Sequence, residues 1–277
     1  MPLLVNTNVA SINAQRHMST SQREVNKAYS QLASGSRITK AADDAAGLSI
    51  SEALKSRVRG YTQAQRNAND AISVVQIAEG GLNEISNIMT RLRELGVQAA
   101  SDNVGNTERG FIDKEVQHLV AEVDRIASST RFGEVKLLDG TGDMFSFQVD
   151  IGNNDKVDRI SFDASQTEAT ASALGVEGFD FNDNEGAREA LDVIEAGLTK
   201  VNGFRANLGA IQNRLISTGD NLGVQIENLS SANSRIRDAD IAQSSAELTK
   251  NNILLNATTS VLAQANNFPS VALKLIG

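Results

Sequence analysis

The sequence predicts a mainly α protein: long antiparallel, coiled-coil-like helices formed by its N- and C-terminal segments, with a small β-hairpin region between them. Three observations carry this. Apolar residues recur every three or four positions over most of the 277 residues, and the pattern is strongest toward the two ends. The 2 prolines, Pro2 and Pro269, stand near the edges, so no proline interrupts a helix between them. Aromatics are only 4 % of the chain and Trp is absent. Ala, Leu, Ile and Val suit thin seams between helices better than a deep globular interior.

The first helix is expected over Asn8 to Ala33, with Val25, Tyr29 and Leu32 on one side and Ser34-Gly35-Ser36 ending it. Asp43-Asp44 then suit the first turn of the next helix through capping and dipole effects. That helix should be long. Leu54, Val58, Tyr61, Ala68, Ile72 and Val75 begin a series of 3-, 4- and 7-residue steps that strand alternation cannot produce. It continues through Leu82, Ile85, Met89 and Leu92. Residues 44–99 would span on the order of 80 Å at ~1.5 Å per residue. Gly80-Gly81 inside it cost roughly 1 kcal/mol each relative to Ala, so a bend or close packing is expected there.

Residues 101–106 read as a loop. Thr107 is expected to cap a third helix, whose stripe runs Ile112, Val116, Leu119, Val123 and Ile126. The period then changes. Strict alternation in Phe145-Ser146-Phe147-Gln148-Val149, a Gly-Asn-Asn-Asp turn at 152–155 and a second run to Phe162 predict a hairpin near 144–162. Residues 163–185 are expected to be polar and irregular. From Leu191 to Ile236 the helical steps return over a length that implies a coiled-coil-like partner. Residues 241–277 hold another amphipathic segment, including Leu248, Leu255, Leu262 and Phe268.

Charge is unevenly placed. The net charge is -8 with a pI near 4.9, which argues against a nucleic-acid surface. Residues 139–195 hold 14 Asp/Glu against 3 Lys/Arg and read as a solvated surface, whereas residues 241–277 carry only Glu247, Lys250 and Lys274. So uncharged a tail must be covered by something. Cys is absent, which excludes disulfides and thiolate metal sites. No stretch approaches the ~20 apolar residues of a membrane span. No cleaved secretory signal opens the sequence, so the expectation is either a cytoplasmic protein or export by a route that needs no such signal.

Catalytic chemistry is not expected. His17 and His118 are the only histidines and cannot form a His-Glu-x-x-His pair. A Ser/His/Asp arrangement lacks a Gly-x-Ser-x-Gly elbow, and no Walker loop or dinucleotide fingerprint is present. Asp180 to Gly186 resembles the start of a calcium loop, but the sixth and twelfth positions are Glu185 and Leu191 rather than Gly and Glu. An acidic helix-capping turn is the better reading. Arg91, Arg93 and Glu94 read as a solvated face with local ion pairs.

Several of these segments carry a resemblance. Val5 to Arg16, Ser34-Gly35-Ser36-Arg37-Ile38, Asp43 to Ser51, Arg66-Asn67-Ala68-Asn69-Asp70, Arg93-Glu94-Leu95, Asn207 to Leu215 and Ser234 to Asp240 closely resemble bacterial flagellin. The resemblance covers residues 1–140 and 190–277. Gly81 and Gly96 stand where the family usually has Ala, and Phe132-Gly133 replaces its Asn-Gly. The short middle is similar to a subunit without large outer variable domains.

The resemblance implies a structural, non-enzymatic subunit that self-assembles into the flagellar filament for swimming motility, with a hook–filament junction protein as the alternative. A flagellin-like protease insert is opposed by the short middle. It implies an inner terminal domain of residues 1–43 with 235–277, and a rod domain of residues 44–234 carrying the hairpin. Leu255, Leu262, Phe268, Leu273, Leu275 and Ile276 would form a self-assembly seam. Implied partners are further copies, the flagellar export apparatus and its chaperone, the filament cap and hook-junction proteins, with neither nucleic acid nor membrane. Export without a cleaved signal to the extracellular flagellum is implied. Arg91, Leu95 and Glu115 match positions at which flagellins meet a host Toll-like receptor, and are expected to form an exposed cluster.

Overall fold

The computed structural model describes the backbone of residues 7–274 and the side chains of residues 7–267. Six α-helices dominate the described residues: α1 (Val9–Ser34), α2 (Ala45–Ala99), α3 (Asn106–Ser129), α4 (Ala171–Leu174), α5 (Asn184–Arg237) and α6 (Ile241–Lys274). Four short strands, β1 (Arg131–Phe132), β2 (Val135–Lys136), β3 (Met144–Gln148) and β4 (Arg159–Asp163), form two separate antiparallel pairs. The chain divides into two compact units, one of residues 1–56 with 228–277 and one of residues 57–227. The division falls inside α2 and α5; positions 43/44 lie in the loop before α2, and positions 234/235 lie in the last turn of α5.

In the unit of residues 57–227, α2 and α5 run antiparallel. Gln65 Nε2 donates to Gly219 O at 3.4 Å, and Arg93 pairs with Glu195 at 3.0 Å. Leu82, Ile85, Met89 and Leu92 of α2 are fully buried, as are Val116 and Val123 of α3 and Ile194, Val201 and Leu215 of α5. These positions continue the three- and four-residue spacing, so one stripe per helix faces a common core. Narrow clearances are met by glycine: a β-carbon at Gly197 would lie 2.5 Å from Met89 Cε.

The turn from α2 to α3 is held by a buried cation. Arg109, 7 % exposed, donates from Nε to Ala99 O at 2.9 Å and from Nη2 to Ser101 O at 2.9 Å. Its Nη1 reaches Asn106 Oδ1 at 3.1 Å. A positive charge thus sits on the Ala99 carbonyl at the C-terminus of α2 and on the Ser101 carbonyl of the turn beyond it. Thr107 is not the cap. Gly105 holds that position without a side-chain bond, and α3 begins at Asn106.

The hairpin lies within the expected segment. Phe145 pairs with Phe162 and Phe147 with Ile160 across β3 and β4. Their alternate placement puts Phe145, Phe147, Ile160 and Phe162 on the inward face. Asn67 of α2 donates to Gln148 O at 3.0 Å, tying the hairpin to the helix. The smaller hairpin β1–β2 turns through Gly133-Glu134. Gly133 has φ 63°, and no non-glycine residue described has positive φ. Positive φ at only the first central position is the type II′ hairpin turn, which explains glycine at that place.

Residues 163–185 are not the irregular surface expected. A 3-10 turn at Ala164–Gln166 and the short α4 lie here, and Ala164, Ala169, Leu174, Val176 and Phe181 are buried. α3 supplies their backbone partners: Asp124 accepts from Ala171 N at 2.7 Å and Asp113 from Phe181 N at 3.0 Å. Two carboxylates on one exposed helical side thus pin an otherwise aperiodic strap over the core.

α2 continues through Gly80-Gly81 without interruption. A β-carbon at Gly81 would lie 2.7 Å from both Leu138 Cδ1 and Thr130 Oγ1, whereas one at Gly80 would meet nothing within 4 Å. Close packing is therefore the reason for Gly81 alone. Gly80→Ala should raise the unfolding free energy by about 0.5–1 kcal/mol. Gly81→Ala should lower it by about 1–3 kcal/mol through overpacking. Urea unfolding of the two variants checks the sign at each position.

Candidate assembly surface

The unit of residues 1–56 with 228–277 is built on α1 and α6. Asn8 caps α1, accepting from Ser11 N at 3.0 Å, and its Nδ2 donates to Ala265 O at 2.8 Å. Ser11 Oγ donates to Asn266 Oδ1 at 2.8 Å. At the other end of α1, Gly35 O accepts from Ala239 N at 2.9 Å. Residue 8 beside 265 and residue 35 beside 239 make the two helices antiparallel.

Their shared seam is narrow. The buried residues of α1 are Ser11, Ala14, Ser21, Val25, Ala28 and Gln31. All but Val25 are small or polar. On α6 only Ser244 is buried among residues with described side chains, and Leu248, Leu255 and Leu262 are half-buried. Meanwhile Val9, Ile12 and Tyr29 of α1 and Ile253, Leu254 and Val261 of α6 are exposed. Two helices have two sides each, and this pair meets through mostly small or polar residues of α1 and half-buried leucines of α6, while other large apolar groups face away. Of the proposed seam residues, Leu255 and Leu262 lie on the half-covered side. The side chains of Phe268 and Leu273, and the whole of Leu275 and Ile276, lie outside the described residues.

The connectors between α1 and α2 and between α5 and α6 lock together. Ser36 and Asp238 form an antiparallel bridge, with Arg37 N donating to Arg237 O at 2.6 Å. Arg37 Nη2 also reaches Ile236 O at 2.7 Å, and Arg237 bonds Glu52 and the buried Ser51. Gly35 has φ 66°, a left-handed conformation that ends α1 and that a side chain would strain. Ile38 is buried beneath this knot. Asp43 closes the loop: its Oδ2 accepts from Thr39 Oγ1 at 2.9 Å, Thr39 N at 3.1 Å and Lys40 N at 3.0 Å. The Thr39 hydroxyl, outweighing partial burial, and then the two backbone N–H groups hold the Asp43 carboxyl below its ordinary range. The family resemblance singled out the segments Ser34 to Ile38 and Ser234 to Asp240 but not their pairing with each other.

Arg91, Leu95 and Glu115 lie in the other unit. Arg91 of α2 donates to Glu115 Oε1 of α3 from Nε at 3.0 Å and Nη2 at 2.8 Å, and from Nη1 to Glu94 Oε2 at 3.0 Å. All three charged side chains are about half exposed. Leu95 is not exposed as expected: at 2 % it belongs to the core. A step of four residues turns a helix by about 40° beyond a full circle, enough to carry residue 95 from the rim into the buried stripe with Leu92 and Ala99. The acidic turn at Asp180 is self-contained, its carboxylate accepting from Asn182 N at 2.9 Å and Asn182 Nδ2 at 2.7 Å.

Comparison with known proteins supplies the context for these surfaces. The bacterial flagellin N-terminal helical region matches residues 5–143, and the bacterial flagellin C-terminal helical region matches residues 191–276. A flagellin from Halalkalibacterium halodurans is 40 % identical over 274 residues, which is 99 % of this chain and 100 % of that protein. The crystal structure of a Bacillus cereus flagellin is similar with a TM-score of 0.51 and 29 % identity, over 61 % of this chain and 94 % of that one. A flagellar hook-associated protein from Vibrio parahaemolyticus shares the fold, with a TM-score of 0.60 over 71 % of this chain and 100 % of its own, at 13 % identity.

The Asp43 knot has a pH signature. A carboxyl held below its unfolded value contributes stability that is complete above about pH 4. That contribution is lost as pH falls through the depressed folded value. In assembled protein, Asp43→Asn should speed hydrogen exchange at Thr39 and Lys40 by about three- to tenfold at pH 5. The parent should approach the variant only as pH falls below the ordinary carboxylate range and through the depressed folded value. Exchange mass spectrometry of residues 35–44 measures both.

Proposed function

We propose a division of labour within this chain, which belongs to the bacterial flagellin family and is a structural subunit of the flagellar filament. In this reading α1 and α6, within segments 1–43 and 235–277, supply the seam by which copies join, and segment 44–234 supplies the folded body. The observation that carries it is the α1–α6 pair. On the α1 side its internal contact uses mostly small or polar residues, while Ile12, Tyr29, Ile253, Leu254 and Val261 face outward. Apolar stripes left outside a helix pair are buried most simply by further copies placed in the same way, and an open repeat of one unlike contact gives a helical filament. Swimming motility is the use of that filament. The filament role is favoured over the hook–filament junction by 40 % identity along nearly the whole chain to a flagellin, against 13 % to the hook-associated protein.

The reading extends to how the subunit travels. Export as an unfolded chain through the flagellar secretion apparatus, with a chaperone covering the apolar tail, suits a sequence with 0 Cys and a nearly uncharged C-terminal segment. Addition beneath a filament cap, beyond hook-junction proteins, completes the partner set. No catalytic role is part of this reading.

Deleting residues 255–277 tests the seam. It removes Leu255, Leu262, Phe268, Leu273, Leu275 and Ile276, each worth about 1.5–3 kcal/mol if fully buried on assembly. The deleted protein should form no long filaments by electron microscopy. Long filaments of parental diameter would refute the assignment.

Recognition by a Toll-like receptor is a second reading, supported by the exposed Arg91–Glu115 pair between α2 and α3. Leu95 enters it only as the core residue beneath. Arg91→Ala should weaken receptor binding by monomer at least about tenfold, as expected of an arginine anchor, with its melting temperature nearly unchanged because a solvent-exposed pair is screened and contributes little. Leu95→Ala would instead destabilise the fold by about 2–5 kcal/mol. Parental binding by Arg91→Ala would leave the patch without a receptor role.

A further inference from the structure

An open filament made of one kind of chain requires two unlike patches that complement each other, because a patch that meets itself closes a dimer. The unit of residues 57–227 carries two such patches at separate places along α5. The first is a groove of about 550 Å³ between the tip of the β3–β4 hairpin and α5. Lys156, Arg159 and Arg214 line it, against the single carboxylate of Asp150, and Val149, Ile160 and Leu222 are the buried apolar residues in its wall. Arg159 is engaged with Gln148, Asn153 and Asp155, and Asp150 accepts from Ile151 N at 2.6 Å. Neither Lys156 Nζ nor the Arg214 guanidinium has an ion-pair partner among the described residues. Val157 at the hairpin tip is 68 % exposed beside the groove.

The second patch is the start of α5. Glu185, Glu189 and Asp192 line a second concavity there, together with Asn184 and Arg188. Arg188 faces Asp102 at 3.8 Å, while the three carboxylates have no ion-pair partner among the described residues. α5 is one continuous helix from Asn184 to Arg237. At ~1.5 Å per residue it holds Glu189 and Arg214 roughly 38 Å apart. That distance is far beyond the ~8 Å screening length at physiological salt, so the two patches act on other molecules and not on each other.

We propose that the hairpin groove of one copy receives the acidic start of α5 of a second copy, with Lys156 and Arg214 set against Glu189 and Asp192. This rests on the filament reading and names a contact within it. The contact adds direction and register to the apolar seam of α1 and α6. Groups that are unpaired in one copy become paired between two, and the reversed orientation would set carboxylate on carboxylate.

The experiment is a charge swap read as the critical concentration for polymerisation at low salt. Variant one carries Lys156→Glu and Arg214→Glu, and variant two carries Glu189→Lys and Asp192→Lys. Each alone should show a critical concentration at least about tenfold above the parent, since each meets its own kind with like charges. An equimolar mixture should polymerise near the parental concentration, because each variant complements the other. Rescue by mixing also shows that both variants fold. If either variant alone assembles like the parent, or if the mixture is no better than its parts, the proposed contact is wrong. The filament reading is judged separately: it fails only if the parent itself forms no filaments under the same conditions.

Discussion

The behaviour of this protein depends on how little the terminal helices bury in each other. Folding a helix costs backbone entropy that one thin seam offsets poorly. The α1–α6 seam consists of serines, alanines, one valine and one glutamine on the α1 side. Close approach of small residues brings the helices together without removing much apolar area from water, and the larger groups are left on the outer sides. In the reading proposed above, a chain built this way holds assembly energy in reserve, because neighbouring copies cover the surface that stabilises its ends.

The contrast with residues 57–227 makes the point. There α2, α3 and α5 direct Leu, Ile, Val and Met into one core, a hairpin contributes Ile160 and Phe162, and the strap of residues 163–183 adds Leu174, Val176 and Phe181. Polar loose ends are closed by specific bonds: Arg109 on the Ala99 and Ser101 carbonyls, and Asp113 and Asp124 on strap amides. This unit has a complete interior of its own. The connector knot around Ser36 and Asp238 belongs to the terminal unit and ties the start of α6 to the end of α1, so that the two helices begin in register.

Much of this was legible in the sequence, because helical periodicity reports burial directly. The stripe through Leu82, Ile85, Met89 and Leu92 and the alternation at 145–149 both appear where the residues placed them. What escaped had no period to read. The strap buries Ala164, Ala169, Leu174, Val176 and Phe181 at irregular intervals, and its anchors lie on another helix. Leu95 was misplaced because the edge of a stripe and its rim differ by one 40° step. The Arg91–Glu115 pair came from family likeness, since no local spacing joins residue 91 to residue 115. The electrostatic patches on α5 were hidden for a similar reason: a run of acidic residues reads as solvated surface until the fold shows which carboxylates lack partners.

The central claim is that α1 and α6 gain their stability from neighbouring copies. Hydrogen exchange of monomer and of assembled filament, compared residue by residue, tests it most directly. Amides of residues 9–34 and 241–267 should exchange almost as in an unfolded chain in the monomer and become strongly protected in the filament. Those in the cores of α2, α3 and α5 should be protected in both. A monomer that protects α1 and α6 as well as it protects Leu82 and Val201 would contradict the account.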